Sequence, residues 1–187
     1  MADGLLKKHK GFTLIEVIAT MLILGIVAAF AGYGIVNGIQ SYMFTVEKTE
    51  IAQETRLAMY RIISELRDIN TLVSATTDSI RYESTQRGSG VQFTIRYNAA
   101  SSYKPVEIVD GRSGTAYTLM ENVNGLTFKY TDSDGVEKNS FNTSNPLTQL
   151  RSIKITVQVP ISDGNDLTFQ TEINPRNNGL SNAPVPN

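Results

Sequence analysis

From Phe12 to Val36 the chain is almost unbroken in its apolarity, and no charged side chain occurs between Val17 and Val46. A stretch of about 20 apolar residues spans a bilayer as a helix. Beyond it the pattern turns amphipathic. Ile39, Tyr42, Val46, Ile51, Ala52, Thr55, Ala58, Met59, Ile62, Ile63, Leu66 and Ile69 recur at three- and four-residue steps, which marks one face of a helix. Glu47, Lys48, Glu50, Gln53, Glu54, Arg56, Arg61, Glu65 and Arg67 lie between them, and no proline precedes Pro105. The pattern predicts one nearly continuous helix from Phe12 to Asp68 or Ile69. Residues 12–36 would be its membrane part, and residues 37–70 would carry an apolar stripe into a globular domain.

From Thr71 the period changes. Ser79–Ser84, Val91–Tyr97, Val106–Val109, Ala116–Met120, Leu126–Tyr130, Ile153–Val159 and Leu167–Ile173 alternate apolar with polar residues, the signature of half-buried strands. Turn residues separate them at Arg87–Gly90, Asp110–Gly114, Asp132–Gly135 and Ser162–Asn165. Short polar connections between successive strands favour an antiparallel sheet. Sheet and helix stripe each need a cover, so the expected fold class is α+β: an antiparallel β-sheet over residues 71–174, packed on the second half of a long N-terminal helix. Residues 175–187 hold three prolines and four asparagines, and a mobile or surface-lying tail is expected there.

Charge adds direction. The chain has 187 residues with 17 Lys plus Arg against 18 Asp plus Glu, a balance that gives no general attraction for nucleic acid. Nor does any basic stripe interleave with aromatics, and no direct nucleic-acid binding is expected. Locally the balance fails: Lys7, Lys8 and Lys10 precede the apolar run, and no basic residue follows until Lys48. By the positive-inside rule the N-terminus stays cytoplasmic and the remainder crosses the membrane. With no cysteine, the exported part must hold together by packing alone.

Within this lipid-suited segment stands one carboxylate, Glu16. A charge at the centre of a span costs roughly 2.5–3.5 kcal/mol on insertion scales, so it calls for a partner. An ordinary secretory signal has an apolar region of only about 7–15 residues, shorter than this one. A plain single-pass anchor fits the length but leaves Glu16 unexplained. The run Lys10-Gly-Phe-Thr-Leu-Ile-Glu-Val17 closely resembles the processing signal of type IV prepilins and of type II secretion pseudopilins. The resemblance implies that a prepilin peptidase cuts after Gly11 and releases residues 1–11 as a leader. Phe12 would become the N-methylated first residue. Glu16 would pair with the terminal amine of a neighbouring subunit during filament assembly. It further implies the type IV pilin fold, with an inner-membrane assembly platform and other pilins or pseudopilins, met through the N-terminal helix, as partners. Gly34-x-x-x-Gly38 has the spacing of close helix contacts, and equally that of ordinary membrane-helix glycines.

The second half carries a weaker likeness. Glu121–Tyr130, Asp132-x-Asp-Gly135, Leu150–Val157 and Asn174–Asn177 resemble the C-terminal half of PilW-type minor pilins and J-type pseudopilins. Many pilins close a C-terminal disulfide loop; this chain cannot.

Candidate chemistry is sparse. Asp132, Asp134 and Glu137 around Gly135 have part of a calcium loop's oxygen spacing, but the twelve-residue pattern is incomplete. Asp-Gly between strands is an ordinary hairpin signal, so a turn is expected there, with no metal or other cofactor. Asn142-Thr-Ser144 matches a glycosylation sequon and reads as a loop. The exported part has neither histidine nor cysteine, no glycine-flanked nucleophile and no phosphate-cradling loop, so no catalytic residue is expected and the chain reads as no enzyme. The reading is a minor pilin, a structural subunit that initiates or caps a pilus-like filament. It would be stored in the cytoplasmic membrane and then moved into an extracellular or periplasmic fibre. The alternatives are a type II secretion pseudopilin and a membrane-anchored extracytoplasmic sensor or enzyme.

Overall fold

The computed structural model describes residues 11–84, 90–141 and 147–176. Lys7, Lys8, His9 and Lys10 of the leader, most of the Arg87–Gly90 turn, the Asn142 sequon and residues 177–187 of the tail lie outside these. The chain divides into two compact units, residues 1–46 and 47–187.

One helix, α1 (Leu14–Arg67, 54 residues), begins in the first unit and ends in the second. Among the described residues nine strands follow: β1 (Ile69–Ala75), β2 (Ser79–Ser84), β3 (Gln92–Tyr97), β4 (Val106–Asp110), β5 (Ala116–Met120), β6 (Gly125–Asp132), β7 (Glu137–Lys138), β8 (Leu150–Pro160) and β9 (Asp166–Ile173). All pair antiparallel, and the layout is α+β. The strands form two sheets where the sequence suggested one. β1-β2-β3-β4-β5 is a simple meander, and β7-β6-β8-β9 is the second sheet.

The amphipathic stripe of α1 packs into the core that both sheets share. Ala58, Met59, Ile62 and Leu66 share one core with Ile80, Tyr82, Phe93 and Ile95 of the first sheet and with Phe128, Tyr130, Ile153 and Ile155 of the second. The two sheets are also tied through the β1–β2 turn. Thr77 O accepts from Phe128 N (2.7 Å) and Thr76 O from Tyr130 Oη (2.8 Å). Burial pushes the Tyr130 phenol above its ordinary range, so it remains a donor. Asp78 adds to the shift.

Several strands depart from strict alternation; β1 and β7 show two different reasons. β1 is interrupted by irregularities between Ile69 and Thr71 and between Leu72 and Ser74, so its buried positions do not alternate. Ile69, which the helical spacing includes, is the first residue of this strand. β7 is two residues long and exists only through pairing with β6.

Two of the buried carboxylates are held by partners on the elements around them. Glu65 of α1 is buried; Tyr82 Oη donates to its Oε2 (3.1 Å), and Arg61 pairs with its Oε1 (2.9 Å). Glu107 of β4 holds Arg96 across the sheet (Nη2–Oε2 3.0 Å). At the far end of α1, Arg176 N donates to Arg67 O (2.9 Å), fixing the segment after β9.

Candidate processing and assembly segment

The segment of interest is Gly11 to Val17. Gly11, Phe12 and Thr13 lie outside the helix and are exposed, and α1 starts at Leu14. Thr13 explains the start. Its Oγ1 accepts from Glu16 N (3.3 Å), and its carbonyl accepts from Glu16 N (3.1 Å) and Val17 N (3.2 Å). That is an N-cap, and it satisfies a backbone donor that helix geometry leaves orphaned. The sequence signal was available: Thr-x-x-Glu ahead of an apolar run has the spacing of a capping box. The reading from pattern alone gave Thr13 no role.

Glu16 therefore sits in the first turn of α1, where the helix macrodipole favours a negative charge. No ion pair to it occurs among the described residues. Apart from Thr13 and Thr20 the side chains along this part of the helix are apolar and open: Phe12 and Leu14 are each 80% exposed, and Ile15, Ile18, Met21, Leu22 and Leu24 are exposed as well. An uncovered apolar surface of this extent is not stable in water; it needs lipid or other helices. Among the described residues α1 is the one helix long and apolar enough to cross a bilayer, and its apolar window is unburied. The glycines of this region are equally free of intrachain reasons. A Cβ at Gly25, Gly32, Gly34 or Gly38 would meet no atom within 4 Å.

The prokaryotic N-terminal methylation motif matches residues 6–32, which contain Gly11, Phe12 and Glu16. The chain carries a type IV prepilin-like signal. Signal and apolar helix together support a type IV pilin-like or pseudopilin-like protein. They imply processing by prepilin peptidase and association with pilins, and they fit a single-pass inner-membrane anchor. No curated protein matches the chain.

Two of the calcium-like acidic residues, Asp132 and Glu137, have other engagements. Asp132 Oδ1 accepts from Val136 N (2.8 Å) and Asp134 N (3.1 Å), and its Oδ2 pairs with Lys138 (2.6 Å). Glu137 sits between Lys129 (2.5 Å) and Lys154 (3.0 Å). The Lys138 contact and the turn amides hold Asp132 below the usual carboxylate range. Lys129 and Lys154 do the same for Glu137. The turn itself requires Gly135, whose φ is +81°. No group of three or more potential ligands occurs among the described residues.

Proposed function

We propose that the protein is a minor pilin, a structural subunit that initiates or caps a type IV pilus-like filament. The observation that carries this reading is Glu16, a lone carboxylate in the first turn of α1, the fifth residue after the Gly11–Phe12 bond and followed by thirty uncharged helical residues, nearly all of them exposed. Apolar contacts are non-directional and set no axial register between parallel helices. A carboxylate does, if the free amine of Phe12 from a neighbouring chain meets it. Such a pair is costly to break, because the charge left behind has no water. In this reading cleavage after Gly11 makes the amine, methylation of Phe12 leaves it basic, and residues 12–36 hold the subunit in the inner membrane with its N-terminus cytoplasmic. Residues 37–70 join span to domain, and the domain stands outside the cell.

Mass spectrometry of the membrane-extracted protein tests the first step. The expected result is a chain that begins at N-methylated Phe12; a chain beginning upstream of Phe12 overturns the reading and points to an anchored sensor. Glu16→Ala is expected to insert normally but to enter sheared filaments at least about tenfold less, the equivalent of about 1.4 kcal/mol. Undiminished entry removes the register role. Recovery of the protein from a secretion apparatus in place of sheared pili would assign it to the pseudopilins.

A further inference from the structure

The second sheet ends on β9, whose outer backbone edge pairs with no strand among the described residues. Its inner face is unfinished as well. Val157 of β8 is 1% exposed, while Phe169, its partner across the β8–β9 pair, is only half-buried. Beside Phe169 a groove of about 340 Å³ lies between β9 and α1, with Met59, Tyr60 and Ile63 in its lining and no carboxylate. Arg56 also borders it and makes no ion pair among the described residues, so its donors are open to carbonyl oxygens. An apolar groove beside an unpaired strand edge is a seat for an extended segment. The edge takes its backbone and the groove takes a side chain.

The chain itself brings such a segment to this place. After β9 it passes to the end of α1, where Arg176 N donates to Arg67 O (2.9 Å) and the Arg176 guanidinium faces Asp68 (3.5 Å). From Arg67, Ile63 and Met59 stand about 6 and 12 Å back along the helix at 1.5 Å per residue. Residues 177–187 follow Arg176. Leu180, the fourth residue after Arg176, reaches at most about 13–14 Å in extended backbone, which spans that distance. Residues 177–187 carry no charged side chain, so the groove can bury them without stranding an ion. Pro184 and Pro186 cannot donate to a ladder, and an edge is where a sheet tolerates proline.

We infer that residues 177–187 run back along the groove between α1 and β9 of their own domain, with Leu180 seated against Met59, Ile63 and Phe169. The segment covers the outer edge of β9, and Arg56 donates to its backbone carbonyls. Such a cover has a physical use. An open edge of eight residues is a template on which a foreign strand can pair. Any other chain that reaches this groove must first displace the tail. The contact lies within one domain and holds whether or not the chain enters a filament.

The chain has no cysteine, so an introduced pair reports proximity without competitors. The test uses the full chain in micelles. Tyr60→Cys with Ser181→Cys is expected to close a disulfide within one chain at least about tenfold faster than Tyr103→Cys with Ser181→Cys, because bridging needs Cα atoms within about 7 Å. Tyr103 is as exposed as Tyr60 but lies on the loop before β4. Equal rates for the two pairs overturn the proposal. So does a Tyr60–Ser181 pair that bridges between chains and slows on dilution, which gives the groove to a second copy. Amide exchange supplies an independent reading. Deleting residues 177–187 is expected to raise exchange in β9 about five- to tenfold and to leave β2 and β3 unchanged. Leu180→Asp should act like the deletion, and Leu180→Met like wild type. Exchange in β9 that neither the deletion nor Leu180→Asp moves overturns the proposal. Should the deletion loosen every strand, the disulfide rates decide.

Discussion

Tyr82 and Glu65 show how a single buried contact shapes this domain. The carboxylate is buried and is tolerated because Tyr82 and Arg61 both donate to it. Tyr82→Phe is expected to cost about 1.5–3 kcal/mol, the range for a hydrogen bond to a charged group. Urea unfolding of the full chain in detergent measures it. Three carboxylates of the turns and strands carry a different burden. Asp132, Glu137 and Asp163 all titrate below the ordinary range in the folded protein, held by Lys138, by Lys129 and by the Asn165 amide respectively. Their folded values lie below the unfolded ones. Their stabilisation is therefore complete above the unfolded range of about 3.9–4.3 and is lost as pH falls through the lowered folded values. Stability against pH should be flat near neutrality and fall steeply below about pH 4. Lys138→Met removes the largest contribution to Asp132 and should move acid unfolding to higher pH, read by circular dichroism. At this scale the sequence named Gly11, Phe12 and Glu16 through one motif. It left Thr13 and the Glu65–Tyr82 pair unread, because a cap and a long-range hydrogen bond depend on where the backbone goes.

Among the elements, α1 was the most legible, because its spacing of apolar residues repeats over many turns. Its end was not. Ile69 continues the helical spacing, yet the chain leaves the helix at Arg67 and enters β1. Competition between helix and strand for such a residue is settled by partners, here β2. The glycines of α1 invite a test at the same scale. Each costs about 0.8–1 kcal/mol relative to alanine in a helix interior. Since a Cβ at Gly34 or Gly38 meets nothing within the chain, Gly34→Ala and Gly38→Ala should each raise helix stability by about that amount. Slower amide exchange around the site in micelles would show it. A simultaneous fall in filament yield would assign the vacant space to a neighbouring helix.

In the domain of residues 47–187, one core serves two sheets. Ile62 is buried in that shared cluster. Ile62→Ala should therefore cost about 2–5 kcal/mol and weaken both sheets together. Amide protection in β3 and β8 is expected to fall in parallel, and a loss confined to one sheet would mean two separable cores. The sequence by itself determined the membrane-suited helix, the presence of alternating strands and the processing signal, because each is a local pattern of residue types. Folding decided the rest. Whether the strands make one sheet or two, which of them are bulged, and which charges are left bare on α1 all depend on pairings between residues distant along the chain. The period of a strand shows which side is buried. It does not show which other strand buries it.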